Sequence, residues 1–387
     1  MLPTLEAPTP RLASGFRLGV PLLVLVIGCV LAAVGGRFVY DQGEKTDALR
    51  FRRIGERVSD TMISRLASIE EALYGARGLF AASENVERAE WTNYARSVEI
   101  YLRRGVLRFG YIARVRRADL PAFLARVRAD GAPEFQVRPA GERDELYLIT
   151  YAEPHDYEAI RLGVDITADE PRREAADAAM QTGRPALTRR VDLALDQGQI
   201  PGVVLLLPVY GENRRLETPD DRRQALEGWV YAAIRIDELM QGITRQAENQ
   251  VDFDVFEGES ATRSSLLYDS DRHMSSQHGE AVTAADYADR RFSALVPLSI
   301  YGRHWSLWIS SRPEFGATIS RLMMTVVLGG GAVISLLAAL LAWLLLTART
   351  RAVALAERMI RDLRATEADL RHERILMDTF MHSVADV

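Results

Sequence analysis

The chain has 387 residues, of which 48% are hydrophobic and 26% charged, and its formal net charge is −5. Its basic residues are scattered along the sequence, which excludes an electrostatic case for nucleic-acid binding. Because Cys29 is the single cysteine, neither an intrachain disulfide nor a thiolate metal cage can form.

Two apolar stretches predict membrane spans. Leu18–Gly36 and Leu322–Leu346 contain no charged residue, and a helix needs about 20 apolar residues to cross the hydrocarbon core. We predict transmembrane helices at 18–40 and 319–347. The first stretch is also compatible with a cleaved signal peptide or a lipoprotein box ending at Cys29. The apolar run continues past that cysteine, which favours an uncleaved anchor.

The charges that flank these spans predict their orientation. Arginines lie in the tail 1–17, before the first span, and Arg349 and Arg351 follow the second. The positive-inside rule therefore places both termini in the cytoplasm and residues 41–318 on the other side of the membrane.

Residues 41–84 are predicted to form a long stalk helix. Apolar side chains recur at steps of three or four, which marks one helical face. A helix of this length rises roughly 50 Å at 1.5 Å per residue. The stripe can pack on its own domain, on a second copy of the chain, or on both. Its members are Phe51, Ile54, Val58, Met62, Leu66, Ile69, Leu73, Ala76 and Phe80.

The next region, 85–237, mixes both element types. Short helices interleaved with antiparallel-looking strands predict an α+β domain. The predicted helices are 86–104, 118–131 and 171–181. The predicted strands are 106–115, 135–140, 146–154, 186–191, 202–211 and a last strand from 227 that turns into helix near 237.

A smaller unit, 238–312, is predicted to be mostly strand. Its last two strands are separated by a turn at Gly302, which is typical of a hairpin. The stretch 270–290 is expected to be a loop. The strand candidates are 251–258, 265–271, 290–301 and 303–312.

Residues 348–387 carry a heptad pattern that predicts a parallel coiled coil, and hence a homodimer. The pattern still runs at the last residue, so we expect an output domain to follow it in a longer protein. The seven-residue seam consists of Ala356, Leu363, Leu370, Met377 and Val384, and the alternate seam of Met359, Thr366, Glu373 and Phe380.

The sequence gives no support for catalysis. It has no HExxH, GxSxG or Walker motif, and its dispersed histidines lack metal-ligand spacing, so we expect no metal and no cofactor. His382 lacks the neighbours of a histidine-kinase phosphoacceptor. Asp165, Glu170 and Asp177 are interpreted as solvated carboxylates rather than an acid/base set.

Several spaced motifs resemble the CHASE domain, an extracellular sensor family that includes plant cytokinin receptors and many bacterial membrane sensors. They are “GYIARV”, “YAEP”, “LGVDITADEPRREAADAAMQTGRPALTRRVDL”, “GVVLLLPVY” and “GWVYAAIRIDEL”, in this order over about residues 45–240. The resemblance implies a stalk helix and two tandem PAS-like domains, a membrane-distal ligand-binding one (85–237) and a membrane-proximal one (238–312). It further implies a periplasmic sensor in a bacterial inner membrane, with a histidine kinase or diguanylate cyclase output.

The resemblance also implies ligand-binding residues. Thr188 falls where the family has a pocket-side threonine, Leu206 replaces a second receptor threonine, and Arg172 replaces the aspartate that bonds adenine. Leu205 and Tyr231 are further expected lining residues. Arginine cannot accept a hydrogen bond from an amine, so cytokinin binding is not expected. An inward Arg172 would instead pair with an anionic group. The alternatives are a solvated helix arginine and, for Thr188, an ordinary strand residue.

These observations predict the sensor module of a two-span receptor that binds a small molecule and signals through a dimeric coiled coil. The alternative is an envelope or protein-interaction module without a small-molecule ligand. A pocket in the first domain favours the receptor, whereas a filled core with an exposed apolar patch favours the interaction module.

Overall fold

A computed structural model describes residues 12–385, except 103–104, 139–142, 155–161, 196–197, 213, 244–249, 272–280 and 283. Most of the predicted loop 270–290 and the start of the tail 1–17 therefore lie outside the described residues. The chain divides into two compact units. One consists of Met1–Thr46 with Gly316–Val387, and the other of Asp47–Phe315.

The first helix, α1, runs without interruption over Leu12–Ala82. It therefore contains both the predicted first span and the predicted stalk. Within Asp47–Phe315, its apolar stripe is buried from Phe51 to Ala76 and joins one core cluster with residues from strands. Each such side chain contributes about 1.5–3 kcal/mol by leaving water. The stripe thus packs on its own domain, which was one of the three possibilities left by the sequence.

The first sheet is antiparallel throughout, and its strand order is β2-β1-β6-β5-β3, with β4 also paired to β5. The mixed helix-and-sheet fold agrees with the predicted class. The strands are β1 (Val106–Arg116), β2 (Glu145–Glu153), β3 (Ala186–Leu187), β4 (Val191–Leu195), β5 (Gly198–Tyr210) and β6 (Leu226–Arg235).

Helices cover both faces of this sheet. On one face, α1, α2 and α3 bury apolar side chains in the same cluster as the strands. On the opposite face, α4 contributes to a separate cluster with strand residues. The helices are α2 (Arg88–Leu102), α3 (Leu120–Ala129), α4 (Glu170–Thr182), the short α5 (Pro219–Ala225) and α6 (Ile236–Met240).

Local signals explain why α4 begins and ends where it does. Asp169 is its N-cap and accepts a hydrogen bond from the backbone N–H of Arg172. Pro171 lies in the first turn, where its missing N–H costs nothing. Gly183 ends the helix with φ 71°, the left-handed conformation that glycine adopts without a Cβ penalty. The predicted helix 171–181 is confirmed with one more residue at each end.

Two strand predictions were wrong in detail. The predicted strand 186–191 is interrupted because the Thr188 hydroxyl, rather than a backbone carbonyl, accepts the N–H of Val204 at 2.9 Å. Pairing resumes only in β4. The predicted strand 135–140 forms a single bridge, between Arg138 and Val164. The residue after this bridge is Pro139, which has no N–H to continue a ladder.

The second sheet has the order β8-β7-β10-β9 and is also antiparallel. The predicted hairpin is confirmed: Tyr301 has φ 45° and Gly302 φ 83°, the two positive values that a type I′ turn needs. The strands are β7 (Val251–Glu257), β8 (Leu266–Asp269), β9 (Ser293–Ile300) and β10 (Arg303–Ser311).

Polar contacts join the two sheets to α1 within this unit. The backbone N–H of Leu187, on β3, donates to the carbonyl of Tyr301 at 3.1 Å. The Tyr301 hydroxyl donates to Glu70 of α1 at 2.7 Å. Arg65, also on α1, is buried and donates to the carbonyl of Leu239, at the end of α6. The β9–β10 turn thus touches the first sheet and the stalk together.

In the other unit, α1 packs against the last helix, α7 (Ala317–Ala385), through small residues. A Cβ added to Gly28 would lie 2.2 Å from the Ser335 Oγ, and one added to Gly331 would lie 2.5 Å from Ala32. Such close approach is typical of packed membrane helices. Both helices are long and apolar enough to cross a membrane, and most large apolar side chains on these stretches are exposed.

Candidate functional site

The candidate site is the face of the first sheet that α4 covers. Leu206 and Tyr231 form a cross-strand pair between β5 and β6, and both are buried. Ala175, Ala176 and Ala179 of α4 pack against this face. Because alanine side chains are small, the helix backbone approaches the sheet closely.

Three aromatic side chains of the sheet fasten α4 in place. The Trp229 indole Nε1 donates to the carbonyl of Ala176 at 2.9 Å. The Tyr147 hydroxyl donates to Asp177 at 3.1 Å, and the Tyr210 hydroxyl donates to a carbonyl near the end of the helix at 2.7 Å. These bonds fix α4 by its backbone and polar groups, in addition to its apolar contacts.

Arg108 is a buried arginine in β1. It pairs with Ala233 across the ladder, two residues from the Gly110–Tyr231 pair. Side chains two residues apart on a strand share a face, so Arg108 lies on the same face as Tyr231. Burial raises the pKa of the Tyr231 hydroxyl, and the positive charges of Arg108 and Arg172 oppose that rise. Two guanidinium groups therefore act on one buried phenol.

Gly110 makes room for the Tyr231 ring. A Cβ at this position would lie 2.5 Å from the ring and 2.1 Å from the carbonyl oxygen of Tyr151. Real Cβ atoms do not approach other atoms this closely, so a glycine is required where the ring lies over β1.

Arg172 bridges two elements at the start of α4. Its guanidinium pairs with the N-cap Asp169 and donates to the backbone carbonyl of Asp192, on β4, at 3.1 Å. Its side chain is about three-quarters buried, with 23% exposed. It therefore joins the first turn of α4 to the neighbouring strand.

Thr188 is buried and follows β3 directly. Its backbone N–H donates to the carbonyl of Val204, and its hydroxyl accepts the N–H of the same residue. A hydroxyl carries one donor and two acceptor positions. Accepting this bond therefore leaves the O–H proton to donate elsewhere.

The structure brings four of the five predicted site residues to the region of α4 and separates one. Arg172, Thr188, Leu206 and Tyr231 lie on α4 or on the strand segments it covers. Leu205 belongs to the cluster on the opposite face, with the stalk, because neighbouring strand residues point to opposite faces. Sequence reasoning missed Arg108, although a charged residue inside the apolar run “VLRFGYIARV” was a usable signal.

The α4 face is closed by packing in this structure. The best-defined cavities of the described residues lie elsewhere. One of about 690 Å³ is bordered by α2 and by Phe109 and Glu153 of the first sheet. Another of about 330 Å³ lies between α4, β3 and the Tyr301–Gly302 turn.

Comparison with known families identifies this region. Residues 84–268 match the CHASE domain family. The chain carries a CHASE domain. The matched residues of the CHASE domain include α2, the whole first sheet and α4, and they extend through β7 and most of β8. No curated protein matches the chain.

Solved structures similar to this CHASE-domain chain include sensory domains of chemoreceptors. The periplasmic sensory domain of the Campylobacter jejuni chemoreceptor Tlp1 is 8% identical, covers 72% of this chain and 98% of its own, and has a TM-score of 0.44. The ligand-binding domain of the Pseudomonas aeruginosa PAO1 amino acid chemoreceptor PctC, in complex with GABA, is 13% identical, with coverages of 69% and 99% and a TM-score of 0.40. A methyl-accepting chemotaxis protein X is 10% identical, with coverages of 71% and 98% and a TM-score of 0.36. At these scores and identities, the likeness alone assigns neither ligand nor mechanism.

Proposed function

We propose that this chain is the sensor module of an inner-membrane receptor and binds a small anionic molecule between α4 and the first sheet. The observation that carries the proposal is the placement of Arg108 and Arg172 around the buried Tyr231. A guanidinium group pairs with carboxylate or phosphate in bidentate fashion. A ligand with such a group would find two cations, a phenol and the Thr188 hydroxyl on one face.

We propose that residues 85–237 form a membrane-distal PAS-like domain and 238–312 a membrane-proximal one. Helices at 18–40 and 319–347 would cross the membrane, with 41–318 in the periplasm. Two apolar helices flanking a CHASE domain support this arrangement. The chain would act as a homodimer through residues 348–387 and pass its signal to a kinase or cyclase domain.

The signal would leave the site through contacts that already exist. Thr188 follows Leu187, whose N–H is bonded to the Tyr301 carbonyl. The Tyr301 hydroxyl is bonded to Glu70 of α1. A ligand that displaces β3 or α4 would therefore move the β9–β10 turn and the stalk. A ligand shifts such an equilibrium only by its differential affinity, and a 100-fold preference supplies about 2.7 kcal/mol.

The test is a thermal-shift screen of the full chain in detergent micelles against carboxylates and phosphate esters. We expect at least one anion to raise the unfolding temperature, because a ligand that binds only the folded state stabilises it. Arg108→Gln should abolish that rise, and Arg172→Gln should weaken it. Circular dichroism of each variant without ligand shows whether it is folded.

Arg96→Gln is the matched control, because Arg96 borders the cavity beside α2 and not the α4 face. It should leave the shift unchanged. If Arg96→Gln removes the shift and Arg108→Gln keeps it, the ligand binds beside α2 and the proposed site is wrong.

The second candidate function is protein interaction without a small ligand. It is favoured by the close packing of Thr188, Leu206 and Tyr231 in this structure. The same screen separates the two candidates. An interaction module gives no anion-dependent shift in the wild-type chain, whereas the receptor does.

A further inference from the structure

The second sheet has a polar face opposite the stalk. Along β7, Val251, Phe253 and Val255 join the core cluster that contains α1. The alternate residues Asp252 and Asp254 therefore point away from the stalk. Both are buried, at 1% and 0% exposed, which is rare for carboxylates unless a cation or hydrogen-bond donors compensate them.

More carboxylates converge on this face. Asp269 of β8 stands directly across from Asp254, and like charges directly opposite destabilise a ladder. Carboxylate oxygens of Asp254, Asp269 and Asp271 all lie within 4.8 Å of one another. This spacing suits oxygen ligands around one ion.

Two arginines lie on the same face. Arg290 pairs with Asp252 at 3.1 Å and with Asp271 at 2.9 Å, and Arg312 pairs with Asp252. Four carboxylates thus meet two guanidinium groups. Burial, the larger effect, still raises the pKa of the Asp252 carboxyl against the hydrogen bond from Arg312. The described charges on this face remain negative by two.

Buried polar atoms on β10 give an independent observation. Ser310 is fully buried, and its Oγ has no hydrogen-bond partner among the described residues. It stands directly across from Asp252, so its hydroxyl is on the carboxylate face. Trp308 stands directly across from Asp254, is 9% exposed, and its Nε1 likewise lacks a partner in the described part of the chain. A cation with its bound water would give both atoms polar neighbours.

We propose that Asp254, Asp269 and Asp271 bind a hard divalent cation, Ca²⁺ or Mg²⁺, in the second sheet. Such ions prefer carboxylate and hydroxyl oxygens. The Tyr287 hydroxyl donates to the Asp254 Oδ2 at 2.7 Å and holds that carboxylate in position. Ser310 supplies a neighbouring oxygen. The cation ties β7 to β8 and the residue pair after it, independently of any ligand on the α4 face.

The test uses Tb³⁺ as the probe, on the full chain in detergent micelles. The Trp308 ring stacks on Tyr287 at 4.6 Å between centroids and is the sensitiser nearest the carboxylates. We expect saturable terbium luminescence that Ca²⁺ or Mg²⁺ displaces, and the stronger competitor identifies the ion. Trp308→Phe should lower the luminescence without changing the half-saturating concentration.

The Asp269→Asn/Asp271→Asn variant should raise the half-saturating concentration at least tenfold and abolish the Ca²⁺- or Mg²⁺-dependent rise in unfolding temperature. The matched control is Glu212→Gln/Asp220→Asn, which neutralises two exposed carboxylates of the first domain and should change neither value. If the double variant does not fold, Ser310→Ala, which removes only one oxygen, should weaken binding several-fold in a folded protein.

Some results would overturn the proposal. One is the absence of saturable luminescence and of any thermal shift up to roughly 10 mM Ca²⁺ or Mg²⁺, above the range of weak extracellular calcium modules. The other is luminescence that both double variants lower equally, since that describes nonspecific binding to surface carboxylates.

Discussion

Removing the Arg65 guanidinium should destabilise the folded domain more than any exposed substitution on the stalk. Arg65 is 9% exposed and donates to the carbonyls of Leu239 and Gln241, the latter at 3.0 Å. These residues lie where the chain passes from the first sheet to the second. In Arg65→Met the aliphatic packing is kept, but both carbonyls lose a charged donor.

The magnitude follows from those two bonds. A hydrogen bond to a charged group contributes about 1.5–3 kcal/mol, and a buried acceptor left without its donor costs a similar amount. Relief of the desolvation cost of the arginine offsets part of this loss. We expect the free energy of unfolding to fall by about 3 kcal/mol.

The assay is equilibrium urea unfolding of the full chain in detergent micelles, followed by tryptophan fluorescence. Arg53→Met, at an exposed position of the same helix, is the matched control and should change the free energy of unfolding by less than about 0.5 kcal/mol. A loss below about 1 kcal/mol for Arg65→Met would show that these bonds do not hold the stalk to the junction.

Three further predictions concern other parts of the chain. Gly110→Ala should lower the free energy of unfolding by about 1–3 kcal/mol, because the new Cβ meets the Tyr151 carbonyl; an unchanged urea midpoint would contradict this. Burial raises the pKa of Tyr210 from 10.0 to about 12, so the folded state keeps a proton that the unfolded state loses, and stability should fall as pH rises from 10 to 12; Tyr210→Phe should lessen that fall, measured as the urea midpoint against pH. Gly28→Leu should separate α1 from α7 at Ser335, and it should abolish an oxidative crosslink between cysteines placed one turn away on the two helices.

The elements with strong periodicity were predictable from the sequence. The stripe of α1, the helix α4 with its cap and terminal glycine, and the hairpin at Gly302 all formed as expected, because each depends on local spacing and turn chemistry. The break after Leu187 was not predictable. It arises when a threonine hydroxyl takes the place of a carbonyl, and a strand pattern does not show this.

The candidate site was predictable only in part. The family resemblance implied Thr188, Leu206, Arg172 and Tyr231, but it gave Leu205 the same role. The strand alternation that sends Leu205 to the other face was readable from the sequence. Arg108 needed the register of β1 against β6, since only that pairing places it beside Tyr231. Long-range register depends on the whole sheet and not on any one strand.

The most direct test of the receptor account is an experimental structure of the chain with an anion selected by the thermal-shift screen. The account predicts ligand density between α4 and the first sheet, with the anionic group within hydrogen-bonding distance of Arg108. Density bound only in the cavity beside α2, or an α4 face that stays closed while the ligand is bound, would contradict it.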